Sequence, residues 1–477
     1  MTGIPDLTNE QAWAAASGWG REPRMNEIEA LMWRSERHPQ LSSAGCALLL
    51  LDRAPDWDRL VAAHDWGTKL LPRFRERVVE PVLPIGPPAW VTDEHFALDY
   101  HLRRTRLAGD GSRAALLEFA QGFGLAPLDR TRPLWQATLV EGLDDGRAAY
   151  VLKLHHSITD GTGVIQLLAL VQSRTREHTA NKPTATSNPA TAAEDPVHLT
   201  VEELGDAVRH LPELPGRALR LGWNILTDPA GGISEAIRYA ASARRVLIEP
   251  SRPSPLLRGR TGRVWRYGIL ECALADLKAA GKAAGGSVND AFVAALLGGL
   301  RRYHDVHDVP VDTVPMAMPV SLRKADDPMG GNKFAGALFA APLRVADPEE
   351  RIATIRGAVL SVRSEPALDS ISLLAPVANR LPSVIGATLA RFGASADLSA
   401  SNVPGIPYET FMAGARVERV FAFGPLPGVA VMAAMNSHNG ICCIGLNMDG
   451  SVIKDRDVAM NCFEQGLREV IALGTAE

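Results

Sequence analysis

Signatures of cofactor and nucleophile chemistry are scarce in this chain, and each absence closes a route. There are only five cysteines, Cys46, Cys272, Cys442, Cys443 and Cys462. None stands in the C-x-x-C spacing that suits a zinc site or a dithiol redox pair. A sparse, odd count fits packed free thiols in a reducing cytoplasm. Cys442 and Cys443 lie side by side in a strand-like run, so they point to opposite faces and are poor candidates for a shared metal. There is no G-x-x-x-x-G-K-[ST] cradle, which argues against P-loop phosphoryl transfer. H-E-x-x-H and G-x-S-x-G are missing, and Gly161-Thr162-Gly163 stops short of G-x-G-x-x-G. No serine or cysteine is flagged as an activated nucleophile. No apolar run reaches the ~18 residues of a membrane span, and the opening MTGIPDLTNEQ lacks the basic-then-apolar order of a signal peptide. A net charge of −4 offers no basic field for nucleic acid.

What is present reads as globular. Hydrophobic residues make up 46% and charged residues 22% of 477 positions, which allows sizeable cores and more than one domain. The clearest break is 176–200, rich in Thr, Ala, Pro and Asn, which predicts a flexible linker. It separates a first unit, 1–175, from a helical connector, 201–261, and a second unit, 262–477. In the first unit, a helix enters the apolar strand Ala47–Leu51. Arg73, Arg75 and Arg77 suggest a solvated face, Ser112 caps a helix, and Asp144-Asp145-Gly146 predicts a hairpin. In the second unit, Ser287-x-x-Asp290 has the form of a capping box ahead of a helix with an apolar face from Phe292 to Tyr303. Val314–Val320 alternates like a strand, and its two prolines suggest an edge. Ser401–Gly405 reads as a Pro/Gly loop, and Asp449-Gly450 as the turn of a hairpin running from Ile441 to Ile453.

One stretch combines strand, turn and helix with titratable groups: Leu152–Gly163, LKLHHSITDGTG. Tyr150 to Leu154 favour a buried strand, Asp160-Gly161 ends it, and Val164, Leu167, Leu168 and Val171 mark one helix face. Consecutive residues on a strand face opposite ways, so His155 and His156 cannot share one role. A neutral imidazole at a strand end beside a tight turn suits a general base. The plainer reading is a pair of structural histidines at a strand terminus.

His155-His156-Ser157-Ile158-Thr159-Asp160-Gly161 matches HHxxxDG, and it does not stand alone. Pro133-Leu134-Trp135 resembles a PLW element, Asn289-Asp290 an ND element, and Ser401–Gly405 an NVPGP element. In this order they resemble the bacterial wax ester synthase/diacylglycerol acyltransferase family, of the chloramphenicol-acetyltransferase-like superfamily. Pro72–Pro81, Leu128–Trp135, Pro319–Arg323 and Gly331-Asn332 resemble further elements of it, so the likeness spans about 25–460. Three departures stand out: Ile406 replaces the second proline of NVPGP, Glu29 stands where the family tends to have Asp, and Phe123–Ala126 is atypical.

The resemblance implies an α/β (α+β) fold of two lobes, each a mixed sheet with flanking helices, and an active-site tunnel between them. It implies acyl transfer from acyl-CoA, a co-substrate with no bound cofactor and no metal, to diacylglycerol or a long-chain alcohol. His156 would be the base, His155 a packing neighbour, Asp160 a brace paired with Arg323, and Gly161 a site of close approach or positive φ. Asn289 and Asn402 are candidate oxyanion donors or, alternatively, a helix-cap neighbour and a turn former. Asp290, Pro133 and Trp135 are site-supporting candidates, and Trp135 equally reads as a core aromatic. Lipid substrates imply a cytoplasmic protein at the inner membrane or lipid droplets, through amphipathic segments such as Ala218–Leu226 and Ile237–Val246, which equally read as helices packed on the lobes. Two alternatives remain: a condensation-type or polyketide-associated enzyme using carrier-protein thioesters, and a non-catalytic lipid binder.

Overall fold

The computed structural model describes residues 9–84, 86–144, 146–179, 182, 184–185, 196–210, 251–321, 323, 329–363, 375, 379–380 and 396–474. The strands are β1 Ala44–Leu51, β2 Glu76–Val79, β3 Ala89–Thr92, β4 Leu102–Arg106, β5 Trp135–Glu141, β6 Ala148–His155, β7 Trp265–Ala273, β8 Thr313–Ser321, β9 Phe334–Pro342, β10 Ala396–Ile406, β11 Phe411–Met412, β12 Ala415–Phe423, β13 Val429–His438 and β14 Ile441–Asp449. The helices are α1 Asn9–Ser17, α2 Glu27–Ser35, α3 Trp57–Leu70, α4 Leu98–His101, α5 Arg113–Leu125, α6 Gly161–Val171, α7 Pro196–His210, α8 Leu274–Ala283, α9 Val288–Val306, α10 Pro348–Arg363 and α11 Arg456–Ala472.

Two six-stranded mixed sheets organise these elements. The first has the order β11-β12-β1-β6-β5-β4, the second β7-β14-β13-β10-β8-β9. The unbroken apolar sequence of β1 follows from burial of both its faces. Ala47, Leu49 and Leu51 join one core with Tyr150, Leu152 and the helix α6. Cys46, Leu48 and Leu50 join another with Val151 and, from the second half, Trp265, Tyr267, Phe421 and Phe423. The second core therefore lies between the sheets and fastens the lobes together. The second sheet has its own core around α9, whose residues Ala291–Leu297 are all buried.

Several expectations need correction. The span 262–477 is not one self-contained lobe, because β11 and β12 cross over and β12 pairs antiparallel with β1, Cys46 opposite Phe423. β1 is buried on both faces and needs a partner on its open side; β12 supplies the missing ladder. The expected linker ends early: 196–200 already forms the start of α7, while most of 180–195, and all of 211–250 with both amphipathic segments, lie outside the described residues. β8 is an inner strand. Its ladder to β10 covers only Met316 and Ala317, between the two prolines that cannot donate. Ser401–Gly405 belongs to β10, not to a loop. Val403 lies opposite Asn436 and Ile406 opposite His438, so one extra residue is taken up by a bulge at Pro404-Gly405. β14 pairs with β13 across Asn439-Gly440, both at positive φ, and not across Asp449-Gly450. Arg73 is buried, donating to the carbonyls of Gly20 and Glu22 and lying over the Trp90 ring.

Candidate active site

The first sheet delivers the histidine pair. β6 ends at His155, a turn follows, and α6 begins at Gly161. Asp160 is the N-cap of α6, with Oδ1 accepting from the Gly163 amide at 2.9 Å. The second half then closes on this turn. Gly331 forms a parallel bridge with Thr159, and its carbonyl accepts from the Asp160 amide at 3.3 Å.

Arg323, the partner expected for Asp160, lies 3.1 Å from Asp160 Oδ2. Its Nη2 also donates to the carbonyls of Gly330 and Gly331 at 2.7 Å each. The Lys333 amide donates to Asp160 Oδ2 at 3.2 Å. Asp160 thus holds the start of α6 with one oxygen and the opposite lobe with the other.

The two histidines differ sharply. His155 is 2% exposed. Its Nδ1 accepts from the Ser157 amide at 3.1 Å and sits 2.7 Å from the Ser157 hydroxyl. Nε2 donates to Glu36 at 3.0 Å. Burial alone would raise the Glu36 carboxyl, but the hydrogen bond from His155, with bonds from Ser43 and Ser42, brings it below its ordinary value. His155 is a closed packing unit inside the first lobe.

His156 is half-buried and faces the seam. Its Nδ1 is 3.1 Å from Asn332 Oδ1, and its ring packs edge-on against Phe334 at 5.9 Å. Nε2 makes no hydrogen bond among the described residues. Burial pushes its pKa below that of an ordinary imidazole, opposed by the charge of Asp160 and the bond to Asn332. The ring is therefore neutral at pH 7, with one nitrogen unengaged.

The remaining candidates are more scattered. Gly161 does not have positive φ; a Cβ there would come within 3.0 Å of Val403 Cγ2, which leaves close approach as its reason. That contact sets the β10 bulge against the start of α6. Asn402 points the other way: strand alternation puts it with Leu398 and Ala400, toward the second lobe's core. Asp290 completes the capping box with Ser287, and Asn289 reaches the Met318 thioether at 3.7 Å. Neither asparagine bonds to the histidine turn. Pro133 is buried. Trp135 is a core residue, its Nε1 donating to the Phe74 carbonyl at 2.8 Å and its ring stacked on His101 at 4.8 Å.

Two participants went unrecognised in the sequence. Asn332 reads there only as part of the Gly331-Asn332 element of the resemblance, with no role attached, and Glu29 only as a departure from a family pattern. Asn332 meets the His156 ring and Glu29 holds Asn332 from behind, each from a distant part of the chain, and no local spacing marks such contacts.

A cavity of about 540 Å³ opens in the first lobe among α3, α6, β5–β6 and the β11 hairpin. Its walls include Trp66, Phe74, Trp135, Leu152, Leu167 and Phe411, with Arg59 and Lys182 also lining it. Leu152 lies four positions before His156, on the order of 13 Å along an extended strand. The size and apolar walls suit a small-molecule pocket.

A motif histidine at the seam of two mixed sheets defines a two-lobed, chloramphenicol-acetyltransferase-like protein. Comparison with known proteins narrows the class. The model of the wax ester synthase/diacylglycerol acyltransferase catalytic domain matches residues 25–292, and that of the family's C-terminal domain matches 330–470. The chain belongs to the wax ester synthase/diacylglycerol acyltransferase family of acyltransferases. A Mycobacterium tuberculosis protein provisionally named a diacylglycerol O-acyltransferase is 38% identical over 95% of this chain and 94% of its own length. A second such M. tuberculosis protein is 33% identical over 73% of this chain and 76% of its own. The fold is shared with the wax ester synthase/diacylglycerol acyltransferase of Marinobacter aquaeolei VT8, with TM-score 0.64, 22% identity, and coverage of 95% of this chain and 100% of that one. It is also shared with the first condensation domain of the calcium-dependent antibiotic synthetase, with TM-score 0.59, 14% identity, and coverage of 96% and 97%.

Proposed function

We propose that this protein transfers a long-chain acyl group from acyl-CoA to the hydroxyl of diacylglycerol or a fatty alcohol, with His156 as the general base. The observation that carries the reading is the state of His156: neutral, held through Nδ1, and unengaged at Nε2. In the reaction, Nε2 takes the proton of the acceptor hydroxyl as its oxygen attacks the thioester carbonyl. The tetrahedral intermediate collapses by breaking the carbon–sulfur bond, and the imidazolium returns the proton to the leaving thiolate of CoA. No acyl-enzyme forms, in keeping with the lack of a flagged nucleophile. The hydrocarbon of one substrate lies in the cavity bounded by Leu152, Leu167 and Phe411. We place the protein in the cytoplasm at the inner membrane or a lipid-droplet surface, where such substrates collect. Among the described residues no single helix is long and apolar enough to cross a membrane; α8 and α9 pass only as a pair bent by 91°, and α9 is core.

The test is a labelled palmitoyl-CoA assay offering hexadecanol and diacylglycerol side by side, with palmitoyl-acyl carrier protein as a competing donor. Ester formation from the CoA donor, lost in His156→Ala, is the expected result. A preference for the carrier-protein donor moves the protein to condensation-type chemistry. Lipid that copurifies without turnover makes it a binder.

A further inference from the structure

Behind His156 stands a hydrogen-bonded unit drawn from both ends of the chain. Asn332 Nδ2 donates to the His156 carbonyl at 2.8 Å and to Glu29 Oε1 at 3.2 Å. The Asn332 amide donates to the same Glu29 oxygen at 3.0 Å. Glu29 Oε2 accepts from the Asn26 amide at 3.0 Å, closing the capping box of α2. Asn26 Nδ2 returns a bond to the Asn332 carbonyl at 3.3 Å.

These contacts fix which end of the Asn332 carboxamide faces the ring. A carboxylate and a carbonyl only accept, so the atom between them is the nitrogen. The atom facing His156 Nδ1 is therefore the oxygen, which also only accepts. A neutral His156 must then carry its proton on Nδ1, and Nε2 is the bare nitrogen. Both donors of the Asn332 carboxamide are taken, so it cannot turn over without setting its oxygen, an acceptor, against the Glu29 carboxylate and the His156 carbonyl.

We infer that Asn332, pinned by Glu29, is the positioning residue of the base: it selects the Nδ1–H tautomer of His156 and so aims the unprotonated Nε2 at the substrate hydroxyl. The inference rests on the reading of His156 as base but is tested separately from it. Asn332 and Glu29 touch no reacting atom. When Nε2 gains a proton, the Nδ1–H bond to Asn332 persists, and the Glu29 carboxylate lies one amide behind the new charge.

Burial raises the Glu29 carboxyl above its ordinary value, opposed by its bonds from Asn26 and Asn332 and by the charge of Arg73. The charged or titratable groups around His156 are Asp160 and His155 from its own segment, Arg323 on Asp160, Glu29 and Arg73 behind Asn332, and the neighbouring Lys333. Only Asn332 bonds to its ring among the described residues.

The direct experiment is nitrogen NMR of protein carrying labelled histidine, with His156 assigned by comparison with His156→Ala. The expected spectrum shows Nδ1 protonated and Nε2 bare in the wild type, and a mixture of tautomers in Asn332→Ala. Kinetics supply the second readout. Asn332→Ala is expected to lower kcat by about 10²-fold with little change in the KM for palmitoyl-CoA, the low end of what loss of a working base costs. Asn332→Asp keeps an acceptor on Nδ1 but adds a charge, so the acid limb of the rate profile moves to higher pH. Glu29→Gln keeps an acceptor for Asn332 and removes the charge, with a smaller loss, about tenfold.

A wild-type His156 protonated on Nε2 overturns the inference. So does an Asn332→Ala enzyme, folded by its circular dichroism and melting curve, with wild-type tautomer, rate and pH profile. Where the tautomer is as expected but His156→Ala still turns over, the positioning stands and the assignment of the base falls.

Discussion

Two neighbouring pockets at the end of β6 take the same side chain and treat it in opposite ways. The His155 pocket is built within the first lobe, from Ser157 and Glu36, and engages both ring nitrogens. The His156 pocket is built across the seam, from Asn332 of the second half with Glu29 behind it, and engages one. The first arrangement consumes the chemistry of an imidazole in holding a turn. The second orients the ring and leaves a nitrogen to react. On the proposed reading of His156 as the base, function follows from the bond that is withheld and from the partner supplied by the other lobe.

The contrast is sharpest in rate. His156→Ala is expected to lower acyl transfer by about 10²–10⁴-fold at nearly unchanged melting temperature; a rate near wild type would dissolve the distinction. His155→Ala should do the reverse. It leaves Glu36 without its imidazole and is expected to cost about 2–3 kcal/mol in chemical denaturation, with kcat in the surviving folded fraction down less than tenfold. Comparable rate losses in both variants at equal stability would show that the pair works as one unit. Asp160→Asn keeps an oxygen for the α6 cap and loses the charge facing Arg323. A destabilisation of about 2–4 kcal/mol is expected for this buried pair, and a variant that melts normally yet is inactive would put Asp160 in the chemistry.

Acid titration sharpens the contrast further. Because burial holds His156 below the ordinary imidazole value, its neutral form persists as pH falls through 6.5, and kcat/KM should drop only below that point. An acid limb centred above 6.5 would contradict the assignment. The smallest effect concerns the cavity. A Cβ on Gly67 would meet nothing nearer than Val171 at 3.9 Å, so Gly67→Leu extends into a space already open. Palmitoyl transfer should fall about tenfold relative to octanoyl transfer; equal loss for both would separate the cavity from the chain.

Parts of this were legible in the sequence. The alternation of His155 and His156 follows from strand geometry, the Ser287–Asp290 box is a local code, and the pairing of Asp160 with Arg323 was expected from the resemblance. The rest depended on distant neighbours. Asn332 and Glu29 gain meaning only when the lobes meet. Ser401–Gly405 carries turn residues, yet a parallel neighbour on β13 draws it into a strand and confines its proline and glycine to a bulge. The β1–β12 ladder had no signal, because an apolar strand does not name its partner.

That ladder has a consequence for synthesis. Leu48 pairs with Phe421, so the first sheet cannot be completed until almost the whole chain has left the ribosome. At 5–20 residues per second, β1 waits on the order of 20–70 s with an open, apolar edge. Such an edge is a template for the wrong strand. This protein should therefore lean on chaperones during translation more than its finished core suggests, and a fragment ending before β12 should aggregate instead of folding as a lobe.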